Sequence, residues 1–163
     1  MRLPAGPLLL DTGIYIRFYR GKDYGWLGED ARIFERTHLT AVVVAELYAG
    51  TRSHLEKRAL DRLSNAHQTL GHFSSPPVAT WIQAGTLVAR ASRTLGEIDF
   101  VHHFRDLLIA LEAVRLGATL VTENTRDFVR WQRLIQVSGR KKLMLFNPVW
   151  SKSPNALRDH GLL

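Results

Sequence analysis

Three acids, Asp11, Glu46 and Asp106, stand where apolar segments end or where a helix presents small residues, a placing that can gather carboxylates around metal ions. Asp11 follows Leu8-Leu9-Leu10 and precedes an apolar, aromatic stretch, so it marks a strand-to-helix junction. A helix N-cap, worth about 1 kcal/mol, also explains an Asp at such a place. Glu46 lies on a helix expected over 41–49 and shares a stripe with Val42, Ala45 and Ala49, an apolar face expected to turn inward. A carboxylate there needs a cation or the rim of a polar cavity, because an unpaired buried charge sooner takes up a proton. An internal ion pair with an arginine meets the same need. Asp106 heads an apolar run with Ile109, Ala110, Ala113 and Val114, where a cap reading stands beside a site reading.

Hard cations such as Mg²⁺ and Mn²⁺ take oxygen ligands and keep several waters, so one or two carboxylates plus a substrate phosphate suffice to hold them. Such a site draws in a phosphodiester, activates a water for in-line attack and stabilises the leaving oxygen. The stretch Val121-Thr122-Glu123-Asn124-Thr125-Arg126-Asp127-Phe128 adds two neutral oxygens, the Thr122 hydroxyl and the Asn124 amide, which can orient an acid or a metal-bound water. Asp127 falls three residues after Asn124, the spacing of a capping box, and reads as structural.

Arg126, Arg130 and Arg133 recur at i, i+4 and i+7 and form a basic stripe that starts beside Asn124 and suits an RNA backbone. A solvated face paired with Glu123 and Asp127 accounts for it as well. Arg140-Lys141-Lys142 either extends the stripe or solubilises a turn. His102 and His103 read as histidines of a polar loop before Asp106, since a metal-bound water needs no imidazole. Trp26, Trp81, Trp131 and Trp150 are candidates for base stacking or, more simply, for the core. Neither a P-loop nor a glycine-rich dinucleotide turn is present.

Groups so far apart in sequence meet only if alternating strands and helices carry them to one end of a sheet. Short apolar runs predict strands at 8–10, 38–40, 118–121 and 143–146. Helical periodicity predicts helices over 14–19, 26–36, 41–49, 52–70, 80–95, 106–116 and 125–134, with Thr40 as an N-cap and Pro76-Pro77 as a break. On 52–70 the apolar stripe is Leu55, Ala59, Leu63, Ala66 and Leu70. Such βα alternation gives a mainly parallel sheet covered on both faces, whose ligands bind beyond the carboxyl ends of the strands. Asp11, Thr122 and Asn124 occupy such ends.

The 163 residues suit one domain, expected over 1–147 with a polar tail at 148–163. Lys and Arg outnumber Asp and Glu by 22 to 15, giving a net charge of +7 and a pI near 10.2, a balance that favours a polyanionic partner. No cysteine is present, which excludes disulfide frameworks and thiolate zinc sites and suits a reducing cytoplasm. The leading segment is too short for a signal-peptide core or a membrane span, so a soluble cytoplasmic protein is expected.

Four blocks in order, Leu-Leu-Leu-Asp-Thr at 8–12, Ala-Glu-Leu-Tyr-Ala-Gly at 45–50, Asp-Leu-Leu-Ile-Ala at 106–110 and the segment 121–128, resemble the PIN domain of VapC-type toxins. The resemblance runs through Phe146-Asn147-Pro148 and so covers nearly the whole chain. It implies a PIN-like three-layer α/β/α fold with a mainly parallel central sheet and a Mg²⁺- or Mn²⁺-dependent endoribonuclease. It also implies a toxin role in a toxin-antitoxin pair, a cognate antitoxin that masks the site, and a homodimer. Asp11, Glu46 and Asp106 match the first three acids of that family, with Asp11 and Asp106 as the leading metal ligands, and Asn124 falls where members carry a fourth Asp or an Asn. Two departures, Gly13 where the family usually has Asn or Ser and Asn124 in place of an acid, leave open a second class: a catalytically weak or dead PIN-fold module acting as a nucleic-acid-binding partner. A third class is a hydrolase of small phosphoesters. The helices at 52–70 and 80–95 are candidates for the antitoxin grip, although core packing explains their apolar faces too.

Overall fold

The strand β1, Leu8–Leu10, has all three side chains shut off from water, as a continuous apolar run in a central parallel strand requires. On one side it pairs with β2 (Thr37–Thr40), which pairs with β3 (Phe73–Ser74), and on the other with β4 (Thr119–Val121), which pairs with β5 (Met144–Phe146). Every pairing is parallel, and the order across the sheet is β3-β2-β1-β4-β5. This computed structural model describes residues 3–96, 99–138 and 142–149.

The helices are α1 (Thr12–Tyr19), α2 (Trp26–Glu29), α3 (Ala31–Glu35), α4 (Ala41–Ala49), α5 (His54–Thr69), α6 (Val78–Leu95), α7 (Phe100–Leu116) and α8 (Thr125–Val137). Right-handed crossovers put α1 to α5, which link β1, β2 and β3, on one face of the sheet. The same rule puts α6 to α8, which link β3, β4 and β5, on the other, and the packing of α4 on α1 and α5, and of α7 on α6 and α8, follows that division. The result is the three-layer α/β/α arrangement expected from the sequence. The strand order reverses between β1 and β4, the point at which open α/β sheets form the crevice that takes their ligands. Asp11 and Thr122 are the residues that leave those two strands.

One core runs through both layers: Ile14, Tyr15, Leu39 and Val43 on the first face, and Leu107, Ile109, Phe128 and Trp131 on the second, are fully buried. On α8 the buried residues Phe128, Trp131 and Ile135 recur with helical spacing, which leaves Arg126 and Arg133 to the outer side.

Several elements differ from their sequence expectation, each for a local reason. The helix expected over 26–36 is two short ones, because Asp30 is extended and caps α3 by accepting from the Arg32 N–H at 3.0 Å. The two-residue β3 was not expected, being too short to show any periodicity before Pro76. Helix α7 begins at Phe100, so 100–105 is helical and Asp106 lies within the helix, where it cannot be a cap. Thr40 holds the N-cap position of α4 but makes no capping bond with its side chain. The stripe buried on α5 is Leu60, Leu63, Ser64 and His67, and Leu55 and Leu70 are exposed. The tail expected over 148–163 lies outside the described residues beyond position 149, as do Arg140, Lys141 and Trp150.

Candidate active site

Asp11 is the first residue after β1, and its two carboxylate oxygens are both engaged. Oδ1 accepts the Thr12 N–H at 2.8 Å, opening α1, and Oδ2 accepts the Thr122 hydroxyl at 2.7 Å from across the crevice. The cap reading of Asp11 is therefore realised, and the same carboxylate is tied to the end of β4. Thr122 is fully buried and accepts the Asn124 N–H at 2.9 Å, so one hydroxyl ties the carboxyl end of β4 to that of β1.

Helix α4 brings Glu46 to the same place from the first face of the sheet. Its Oε2 accepts the hydroxyl of Thr12, the residue after Asp11, and its Oε1 pairs with Arg105 Nη1 at 2.9 Å. The ion pair with an arginine that the sequence left open is present. The stripe that carries Glu46 does not turn inward as expected: Val43 and Leu47 are the buried residues of α4, and Ala45 and Ala49 are exposed. Val42, Ala45 and Ala49 instead line an open groove with Pro76, Trp81 and Phe104. Glu46 thus stands at the rim of a polar site rather than inside the core.

Helix α7 supplies Asp106 from the opposite face. Burial is the main cause that pushes its carboxyl up to about 6, with the charges of Asp11, Glu46 and Asp127 adding and Arg105 opposing. Asp11 is raised as well, first by burial and then by the charges of Glu46 and Glu123, against the lowering effect of its bonds to Thr122 and Thr12. Asp11, Glu46 and Asp106 therefore lie within one another's electrostatic reach, although the first two are 35 positions apart in sequence and the last two 60.

Asn124 is exposed at the N-cap position of α8 and makes no side-chain capping bond. Its own N–H goes to Thr122, so the capping box expected with Asp127 is not formed. Asp127 instead adds its charge to the field on Asp106. Glu123 was missed from sequence and is latched by the Arg17 Nε at 2.9 Å and by the Tyr24 hydroxyl. Tyr24 is buried and has a φ of 65°, a conformation rare for a bulky residue, and it thereby fixes the β4–α8 junction from the α1–α2 side. Arg105 was also missed, although its place next to Asp106 was a signal. Nothing in the sequence pointed to Tyr24.

Gly13 is exposed, and a Cβ there would meet nothing within 4 Å, so no packing demand explains glycine at that position. Arg126 and Arg133 are exposed on α8, while Arg130 is half-buried with its guanidinium 5.5 Å from the Trp131 ring centre. Glu123, expected among their partners, is held by Arg17. His103 is half-buried on α7 with its ring edge-on to Trp131 at 5.7 Å, which makes it a packing residue of the helix and not of a polar loop. The side chain of His102 lies outside the described residues.

Among the described residues no group of three or more His, Cys, Asp or Glu side chains is drawn together tightly enough to hold a metal ion as it stands. The donor chemistry nonetheless fits a hard divalent cation, since carboxylates that raise one another's proton affinity are relieved by positive charge between them. No described helix is long and apolar enough to cross a membrane.

The PIN-domain family model matches residues 8–134, and the chain belongs to that family, whose members are nucleases acting on nucleic acids. Among solved structures it is similar to FitAcB from Neisseria gonorrhoeae, with 24% identity and a TM-score of 0.59 over 87% of this chain and 98% of that one. It is also similar to VapBC2 from Rickettsia felis bound to a DNA fragment from their promoter, with 20% identity and a TM-score of 0.57 over 86% and 97% of the two chains. DNA-bound VapBC from Salmonella typhimurium matches with 18% identity and a TM-score of 0.58 over 88% and 98%. At these identities the likeness bears on the fold. No curated protein sequence matches the chain.

Proposed function

We propose that this chain is a divalent-metal-dependent endoribonuclease, the toxin of a toxin-antitoxin pair, with Asp11, Glu46 and Asp106 as the acids of its site. The observation that carries this reading is the convergence of three carboxylates, one after β1, one from α4 and one from α7, over the crevice where the strand order reverses. Membership of the PIN family supports a nuclease, and the likeness to VapBC and FitAB complexes supports an antitoxin partner.

Asp11 and Asp106 would hold Mg²⁺ or Mn²⁺, with Glu46 joining them and Asn124 offering a neutral oxygen. When bound, the metal supplies charge neutralisation for the phosphodiester and a lowered pKa for an attacking water. The residues of the chain have separate tasks. Thr122 holds the Asp11 carboxylate from across the sheet. Thr12 donates its hydroxyl to one oxygen of Glu46. The surrounding acids keep the pocket anionic, so RNA approaches productively only when a cation is present, while Arg126 and Arg133 on the outer side of α8 would contact the backbone of the bound strand.

A weak or dead nucleic-acid-binding module remains the second reading, favoured by one observation: Glu46 is already neutralised by Arg105. Induced expression separates the two. The wild-type chain is expected to arrest growth and to degrade RNA in a purified, Mn²⁺-supplemented assay, and Asp11→Asn or Asp106→Asn to lose at least about a hundredfold in rate, the scale of losing a metal's hold on its substrate. Equal toxicity of the variants removes the assignment.

A further inference from the structure

Glu46 is not open to a cation as it stands, because Thr12 occupies one oxygen and Arg105 Nη1 lies 2.9 Å from the other. Arg105 directly precedes Asp106 on α7, so a single helix delivers an acid to the site and a base to the site's third carboxylate. The two partners differ in freedom. The Glu46 side chain is 18% exposed and Arg105 59%, so the acid is fixed while the guanidinium sits on the open side. The same groove that borders Glu46, lined by Ala45, Trp81 and Phe104, gives that guanidinium somewhere to go.

We propose that Arg105 is a resident counter-ion for Glu46 that an arriving divalent cation must displace, and that it sets the metal concentration at which the site loads. This rests on the metal-site reading given above. In the metal-free protein the guanidinium supplies part of the positive charge that three neighbouring carboxylates call for. An arginine remains charged at every accessible pH, so the competition does not depend on its titration. Because the pair is open to solvent on the arginine side, it is weak enough for a doubly charged ion to break.

The test is Mn²⁺ titration calorimetry on the metal-free full-length chain, at one pH and ionic strength, for wild type, Arg105→Gln, Arg105→Lys, Glu46→Gln and the Glu46→Gln/Arg105→Gln pair. Removing a weak competitor should tighten Mn²⁺ binding in Arg105→Gln by roughly two- to fivefold. That gain should shrink in the double variant, and Arg105→Lys, which keeps the charge, should stay near wild type. A purely structural pair that braces α4 against α7 gives the opposite sign, weaker binding when it is cut. Wild type that binds Mn²⁺ while Arg105→Gln binds equally or less tightly overturns the counter-ion proposal and leaves the metal site intact. Failure of both chains to bind up to millimolar Mn²⁺ brings down the metal site and the proposal together. Thermal unfolding of each variant confirms that a folded protein is being titrated.

Discussion

Asp106 carries the clearest signature of the site at the scale of single residues. Its carboxyl is pushed from an ordinary 3.8 up to about 6, mostly by burial and then by Asp11, Glu46 and Asp127. A raised acid keeps its proton in the folded chain over a window in which the unfolded chain has already released it. Its contribution to stability therefore falls as pH rises from about 4 to about 6 and stays lost above that. The metal-free protein is expected to melt at progressively lower temperature across this window, and Asp106→Asn should flatten the decline. A slope that the substitution leaves unchanged would show that the Asp106 carboxyl is not raised in the folded chain. Saturating Mn²⁺ should raise the melting temperature at neutral pH, since a cation binds the folded chain and stabilises the ionised form. At this scale much was legible in the sequence. Asp11, Glu46 and Asp106 stood out because each broke an apolar context. Arg105 and Glu123 did not, because a charged residue beside another on a helix or at a strand end has an ordinary solvated explanation. Tyr24 reaches Glu123 across 99 residues and could only be found in three dimensions.

Elements explain why the acids are held where they are. Each comes from a different kind of support: the end of a buried strand, a helix on one face and a helix on the other. The strands could be read from their apolar runs and the helix ends from Gly50 and Gly117, the latter at a φ of 64° that favours glycine. The start of α7 was missed although Phe100, Val101 and Phe104 continue the helical spacing of Leu107 and Leu108, because Asp99, His102, His103 and Arg105 between them gave the stretch a polar look. Reading Asp106 as a helix head followed from that. The inward face of α4 was misjudged for a related reason: alanine and valine fill both its faces, so residue type does not say which side meets the core, and Val43 and Leu47 do. Helix α5 offers a control. Ser53 caps it by accepting the Glu56 N–H at 3.2 Å, while Glu56 Oε2 accepts the Arg52 N–H at 2.6 Å. Ser53→Ala is expected to lower stability by about 1 kcal/mol in denaturant titrations and to leave RNA cleavage unchanged. A loss of cleavage would tie α5 to the site more closely than its packing suggests.

For the whole molecule, the three acids sit within a chain of net charge +7, a balance that favours polyanionic partners. The exposed Arg126 and Arg133 lie on α8, which begins at Thr125 directly after Asn124. Replacing either with Glu should weaken binding of every single-stranded RNA alike and lower the dependence of log affinity on log salt by roughly 0.7 per lost phosphate contact. A sequence-selective loss would point to base contacts instead. The sheet order reverses between β1 and β4, the place where open α/β sheets bind their ligands, and Asp11 and Thr122 leave the sheet there. The most direct measurement is the anomalous difference density of crystals soaked in Mn²⁺. The account predicts a peak within ligand distance of both Asp11 and Asp106, absent in crystals of Asp106→Asn. Wild-type crystals without density there, or with Mn²⁺ held only elsewhere, would contradict it.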